Sequence, residues 1–285
     1  MGTDGHLVAV GPRGEHHLHR AEARLAELEQ LWSRFIDSSE VSMLNAAAGQ
    51  VVRVSPETRR LVEVAVAAWR LTNGLFDPTL GRHMEAMGYD RDFSAIEGVV
   101  PAGPRPISSA CASISIGADG DVTMASDISF DPGGIGKGLA ADIVTAEMQA
   151  AGAWGAMVNV GGDLRTRGLG PVRDEWEVSI AEPNVAESAL TQVTLRDGAV
   201  ATSTTRKRRW AGPTGECHHV LDPSSGTSTD EDVWLASVIA GEGWWAEAAA
   251  TAQLVASERA PECVALRVRA NGRCERVGGF ERYER

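Results

Sequence analysis

DPGGIGKGLAADIVTAEMQAAG (Asp131–Gly152) places Gly133, Gly134, Gly136, Lys137 and Gly138 at the entrance to what reads as a helix. The fold turns on what those glycines are for. After a strand, a Walker A loop or a GxGxxG fingerprint would indicate a doubly wound parallel sheet. Neither fits: Lys137 is followed by Gly138 rather than Ser or Thr, position 131 is Asp, and GxGxxG spacing is absent. Two uses remain. One is a tight strand-to-helix turn. The other is a helix start whose free backbone N–H groups come close to an anion, with Lys137 adding positive charge.

The flanking segments supply antiparallel strands. SISIGADGDVTM (Ser113–Met124) alternates on either side of Asp119-Gly120, a hairpin signal. AMVNVGGDLRTRG (Ala156–Gly168) is a buried strand that breaks at Gly161-Gly162, where Asp163 can orient a ligand hydroxyl or cap the turn. WEVSIAEP (Trp176–Pro183) and LTQVTLRDGAVATS (Leu190–Ser203) are further strands, and ECVALRVRANGRCERV (Glu262–Val277) is a hairpin around Asn271-Gly272. MGTDGHLVAV reads as an opening strand.

Helices separate these strands. Leu18, Ala21, Leu25, Leu28, Trp32 and Phe35 recur at steps of three and four, one apolar face that ends near a polar loop, SSEVSMLNAAAG. Ser55-Pro56 starts a second helix with Leu61, Val64, Ala65, Ala68 and Trp69 buried, and Gly74 suits its C-terminal cap. A third lies between Trp244 and Ser257. Helices alternating with antiparallel strands predict an α+β fold, mostly antiparallel sheets packed with helices. One domain over residues 1–285 is expected, with the stiff connector PAGPRP (101–106) as the joint between two subdomains.

Composition narrows the function. With 43% hydrophobic and 23% charged residues the chain is globular, and its formal charge of −12 argues against a nucleic-acid binder. Cys111, Cys217, Cys263 and Cys274 show no CxxC spacing, so reduced thiols are expected rather than a zinc site. No apolar run reaches the roughly 20 residues that span a bilayer. The first residues lack the basic flank and apolar stretch of a signal peptide, so a cytoplasmic location is expected, with no membrane insertion.

Other residues carry chemistry in principle. Glu247 and Thr251 are four apart, one helical turn, and together offer two oxygens to a hard cation; the alternative is an exposed glutamate and a threonine bonded back to its own helix. His218 and His219 stand just before a strand and a DP turn, and since side chains alternate along a strand only one of them can face a given side. Arg206–Arg209 is a basic run in an acidic protein, either a solvated charge run or a contact for phosphate or an acidic partner.

Taken in order, SEVSMLN (Ser39–Asn45), TNGLFDPTLG (Thr72–Gly81), DPGGIGKGLAAD, NVGGDLRTRG, AVATS (Ala199–Ser203), HHVLDPSSG (His218–Gly226) and AEAAATA (Ala246–Ala252) make a series that resembles the ApbE family, the FAD:protein FMN transferases. The resemblance runs from Met1 to about Val255. It implies an α+β fold with T-fold-like halves, FAD as substrate and Mg²⁺ on its pyrophosphate. The FMN half would pass to a threonine hydroxyl of a partner flavoprotein, and AMP would leave. Glu247 and Thr251 stand where the family has its D-x-x-x-T metal ligands, and the Gly134 carbonyl stands at the third. Met1, Phe35, Leu75, Phe76, Asp77, Asp131, Lys137 and Leu221 would line the FAD, with the Gly161-Gly162 turn at the pyrophosphate. His219, the second histidine of the family's HHxxDP block, is the candidate base. Three departures stand out: Glu247 replaces the usual aspartate, TTRKRRW replaces GDYRR, and Phe35 stands where tyrosine is common. An FAD pyrophosphatase giving FMN and AMP, and a flavin-binding relative without turnover, are the alternatives.

Overall fold

The computed structural model describes residues 3–96, 110–182, 188–212 and 215–285; Met1 and the 101–106 connector lie outside them. The chain opens on β1 (Gly5–Val10) and enters α1 (Gly14–Trp32). Leu28 and Trp32 are buried, and Leu18 and Leu25 pack on the same core. Phe35 departs from that face. Ser33 turns extended (ψ 120°) and ends the helix, so Phe35 lies past it with 39% of its surface exposed.

The expected polar loop at SSEVSMLNAAAG is in part a helix, α2 (Glu40–Ala46), because the Ser39 side chain accepts the Ser42 N–H as an N-cap and Val41 and Leu44 are buried. After β2 (Val52–Arg53), α3 (Pro56–Leu71) follows its punctuation. Ser55 accepts the Thr58 N–H at 3.3 Å, and Gly74, at φ 81°, donates its N–H to the Trp69 carbonyl at 2.8 Å. The short α4 (Gly81–Ala86) comes next. β3 (Ser115–Ile116) and β4 (Asp121–Thr123) form the expected antiparallel hairpin, with β2 on the far edge of β4.

α5 (Gly136–Ala150) is the helix of the glycine stretch. β5 (Gly155–Val160) and β6 (Asp163–Gly168) follow, joined through Gly161 and Gly162, both at positive φ. β7 (Trp176–Ala181) and β8 (Ala189–Leu195) pair as a separate arm, and β9 (Gly198–Thr204) returns to the main sheet. β10 (Arg209–Gly212) pairs with β11 (Gly215–His218), and β12 (Leu221–Asp222) with β13 (Thr227–Ser228). β14 (Val233–Ala240), α6 (Gly243–Val255), β15 (Val264–Arg269) and β16 (Cys274–Val277) complete the chain's main elements.

The main sheet runs β1-β5-β6-β9-β14-β15-β16, and every neighbouring pair is antiparallel. This is the α+β architecture the sequence predicts. α5 packs on β5 and β6, and α6 on β9 and β14. Beneath the β7–β8 arm a second core joins Val178, Ile180 and Val193 to Leu164, Val200 and Leu266. All four cysteines are free, and no helix among the described residues is long and apolar enough to cross a membrane.

α5 and α6 meet at their first turns, where backbone touches backbone. A Cβ added to Gly138 would sit 2.2 Å from the Gly243 carbonyl oxygen, and one on Gly243 would sit 2.6 Å from that of Gly138. Each helix also satisfies the other's free N–H groups. Asp142 of α5 accepts from the N–H groups of Gly243 (2.8 Å) and Trp244 (3.0 Å). Glu247 of α6 accepts from the N–H of Gly138 (2.8 Å). Gly138→Ala is therefore expected to cost roughly 1–3 kcal/mol of stability, read as a lowered thermal midpoint. Gly241→Ala, where an added Cβ meets nothing within 4 Å, should stay within about 0.5 kcal/mol. Equal midpoints for the two variants would contradict the close crossing.

Candidate active site

The start of α5, the β5–β6 turn, α6 and the segment from β9 to β12 face one cavity of about 800 Å³. That volume lies within the roughly 300–1,000 Å³ common for cofactor pockets. Gly133, Gly134 and Gly136 line it beside Lys137, with Gly161 and Gly162 across from them. Leu75, Phe76, Asp77 and Asp131 form a second wall, and His219 and Leu221 a third; Glu247 and Thr251 also reach the cavity. Of the candidate site residues, only Met1 falls outside the described residues.

The floor is a charged cluster. The Lys137 ammonium lies 2.8 Å from Asp163 Oδ2, donates to the Gly133 carbonyl at 3.2 Å and contacts Glu247 Oε1. Burial works against the Lys137 charge, but Asp163 and Glu247 outweigh it and hold the ammonium firmly protonated. Glu247 is 1% exposed, and burial pushes its carboxyl above the usual range while Lys137 pulls the other way. Asp163 Oδ1 is buried with no hydrogen-bond partner among the described residues. A buried acceptor left unmatched in this way is a place for a cation or a donor.

Gly134 closes on the same point. A Cβ there would lie 3.0 Å from Phe76 Cε2 and 3.5 Å from Thr251 Oγ1. Thr251 Oγ1 donates to the Glu247 carbonyl at 3.2 Å, which uses its hydrogen and leaves oxygen lone pairs for another ligand. No three His, Cys, Asp or Glu side chains are grouped to hold a metal among the described residues. A cation here would rely on a hydroxyl, a carbonyl and ligand oxygens beside the carboxylates.

The two aspartates of the second wall shape turns. Asp77 accepts from the Thr79 N–H (2.8 Å) and hydroxyl, and Asp131 accepts from the Gly133 N–H (2.8 Å). The Asp131 N–H donates to the Pro78 carbonyl at 2.7 Å, tying the two Asp-Pro turns together. Arg34 lies 3.2 Å from Asp131 and stacks 4.2 Å over Phe35 and 4.9 Å over Tyr89. Phe35, Tyr89 and Trp210 follow one another at 6.0 and 5.5 Å between ring centres. Phe35 and Tyr89 line the cavity, an aromatic shelf suited to a flat ring.

The histidine pair separates at the end of β11: His218 is its last residue and His219 lies in the bend before β12. His218 is structural: its Nδ1 accepts the Val220 N–H at 3.3 Å, so Nε2 carries the proton donated to the Thr229 carbonyl at 3.0 Å. His219 faces the cavity, and its Nδ1 has no partner among the described residues. Burial, followed by the charges of Arg208 and Lys137, depresses its pKa to about 3, against a hydrogen bond that the ring donates to the Lys207 backbone.

Sequence alone left Asp163 between a capping and a ligand role, and did not single out Arg34 or Tyr89. Arg34 had a weak signal in its neighbour Phe35. Tyr89 had none, because only the tertiary fold brings it to the shelf.

Such a cavity, lined by a lysine at a helix start, two glycine turns and stacked rings, suits a ligand that joins a phosphate to a flat ring. Known proteins agree with that class. The ApbE family model matches residues 1–271, and this chain belongs to the ApbE family. A Treponema pallidum FAD:protein FMN transferase is 29% identical over 265 residues, covering 86% of this chain and 73% of the relative. A Rhodobacter capsulatus protein of the same name is 30% identical over 77% of this chain and 42% of its own length. Among solved structures, the Thermotoga maritima ApbE protein superposes with a TM-score of 0.87 at 25% identity, covering 100% of this chain and 96% of that one. The Vibrio cholerae flavin transferase ApbE gives 0.80 at 22% identity, over 99% and 96%.

The His219 ring sets a pH signature. A native pKa depressed from 6.5 to about 3 means that the unfolded chain binds the proton first. Stability contributed by His219 is thus present above the unfolded value and lost as pH falls toward the folded one. In ring-nitrogen NMR of the ligand-free protein, His219 should stay neutral at pH 5. His219→Asn should flatten the fall in stability between pH 6.5 and 4. A ring that titrates near 6.5 would contradict this environment.

Proposed function

We propose that this chain transfers the FMN half of FAD onto a threonine hydroxyl of an acceptor flavoprotein, with Mg²⁺ as the metal and AMP as the leaving product. FAD:protein FMN transferase is the enzyme class that the curated relatives carry by name. The observation that carries the finer reading is the convergence, in one cavity, of the Lys137–Glu247–Asp163 floor, the Gly134–Thr251 approach and the neutral His219.

The residues fit such a metal. The orphaned Asp163 Oδ1, the Glu247 carboxylate, the Thr251 hydroxyl and the Gly134 main chain are hard oxygen donors, with no thiol among them. Glu247 and Thr251, with the Gly134 carbonyl, would hold Mg²⁺, which when bound draws charge from phosphate oxygens.

The chain's own groups account for the rest. The Gly134 and Lys137 N–H groups at the α5 start would bind phosphate oxygens, with the Gly161-Gly162 turn lining the same cavity, and the Lys137 ammonium would neutralise them. The Phe35–Tyr89 shelf would hold a ring. His219 Nδ1, neutral and unpartnered, would accept the threonine proton as its oxygen bonds to the FMN phosphorus. The bond from that phosphorus to the bridging oxygen then breaks, and the bridging oxygen leaves with AMP. Phosphoryl transfer needs positioning and charge neutralisation above all, and these groups would supply both.

Incubation with FAD, Mg²⁺ and an acceptor domain bearing a candidate threonine tests this by mass spectrometry. The expected result is a gain of one FMN on the acceptor with AMP released. AMP without a modified acceptor would make the chain a pyrophosphatase toward that mixture, and neither product would leave only a flavin-binding protein. Thr251→Ala should lower Mg²⁺-dependent turnover roughly 10–100-fold. His219→Ala should lower turnover about 10²–10⁴-fold while FAD binding holds. Lost binding with intact turnover per bound complex would make His219 structural.

A further inference from the structure

The basic run Arg206–Arg209 divides into two pairs. Arg206 stacks 3.7 Å over the Trp234 ring, and Arg209 meets Glu216 across the β10–β11 hairpin at 2.8 Å. The fold uses both. Lys207 and Arg208, between them, line the cavity instead. Among the described residues neither makes an ion pair or a side-chain hydrogen bond. Lys207 is exposed, which places it at the mouth. Arg208 is held at φ 48°, a left-handed setting unusual for a non-glycine residue.

Their position is specific. The Lys207 backbone hydrogen-bonds His219, and the Arg208 charge acts on the His219 ring. A hydroxyl that gives its proton to His219 comes in near the Arg208 cation, with Lys207 in the lining of the same cavity. The deeper phosphate floor already has its own cation in Lys137. The chain as a whole carries −12, so an acidic partner gains nothing from the overall charge and needs a local attraction.

We propose that Lys207 and Arg208 form a cationic cradle for carboxylates flanking the target hydroxyl of the acceptor, so that the enzyme selects acidic acceptor segments. This rests on the transfer function above. The cradle would fix the register of the segment and speed its encounter, with little effect on the chemical step once the segment is bound.

Two synthetic 15-residue peptides test it. Each has a single central threonine; one carries two glutamates on either side and its twin carries glutamines. Modification is read as FMN added by mass spectrometry, and binding as anisotropy of the labelled peptides on FAD-loaded protein. Wild type should favour the glutamate peptide by about fivefold or more in both, with the preference shrinking as salt rises. In Lys207→Gln/Arg208→Gln the preference should fall to near one, and in Lys207→Glu/Arg208→Glu it should reverse. Arg206→Gln should retain it. A preference that persists in both double variants overturns the cradle, as does equal binding of the two peptides to wild type. If FAD affinity drops in the double variants while the preference survives, the cations hold the dinucleotide instead. AMP release without discrimination defeats only the cradle. No AMP and no modified peptide with wild type defeats the transfer function itself, and the cradle with it.

Discussion

Two helix starts that cannot separate hold the site together. α5 and α6 cross at Gly138 and Gly243 so closely that neither position has room for a Cβ. Each helix lends a carboxylate to the other's unpaired N–H groups, Asp142 in one direction and Glu247 in the other. Free N–H groups at a buried helix end must find acceptors, and here the acceptors come from the partner helix. One of them, Glu247, is also the carboxylate that meets Lys137 on the cavity floor. Structural capping and the charge pattern of the site are therefore the same interaction. Burial that raises Asp142 to about 6 is the cost of the arrangement; its N–H donors and Arg165 work against that rise.

The glutamate at 247 acquires a reason from this geometry. One of its oxygens reaches the Gly138 N–H while the other meets Lys137. A longer side chain from α6 can span both, where an aspartate would sit back by one methylene.

Much of the fold is legible in the chain because its signals are local. Ser55-Pro56 and Gly74 bound α3, and the Gly161-Gly162 and Asn271-Gly272 pairs turn hairpins, each through backbone chemistry that a few residues dictate. Phe35 misleads for the same reason: its helical spacing continues past the point where Ser33 turns extended. α2 was hidden in a polar stretch whose cap, Ser39, carries more weight than its composition. In the site, the glycine stretch, Lys137 and Glu247 are visible as a pattern; His218 and His219 do part company, but because the strand ends between them rather than by alternation along it. The roles of Asp163, Tyr89 and the divided basic run are not visible, because each depends on a neighbour distant in sequence. Lys137 lies against Asp163, Trp210 against Tyr89, and Trp234 under Arg206.

If the helix crossing positions the site, a change that touches only the crossing must be felt in the cavity. Asp142 lies outside the cavity lining and serves the α6 start. Asp142→Asn keeps the shape but gives up one of the two acceptor oxygens. Calorimetric titration of FAD with Mg²⁺ into this variant, shown to be folded by circular dichroism, is the direct measurement. The account expects affinity to fall by about tenfold or more. A folded Asp142→Asn protein that binds FAD as wild type does would contradict it.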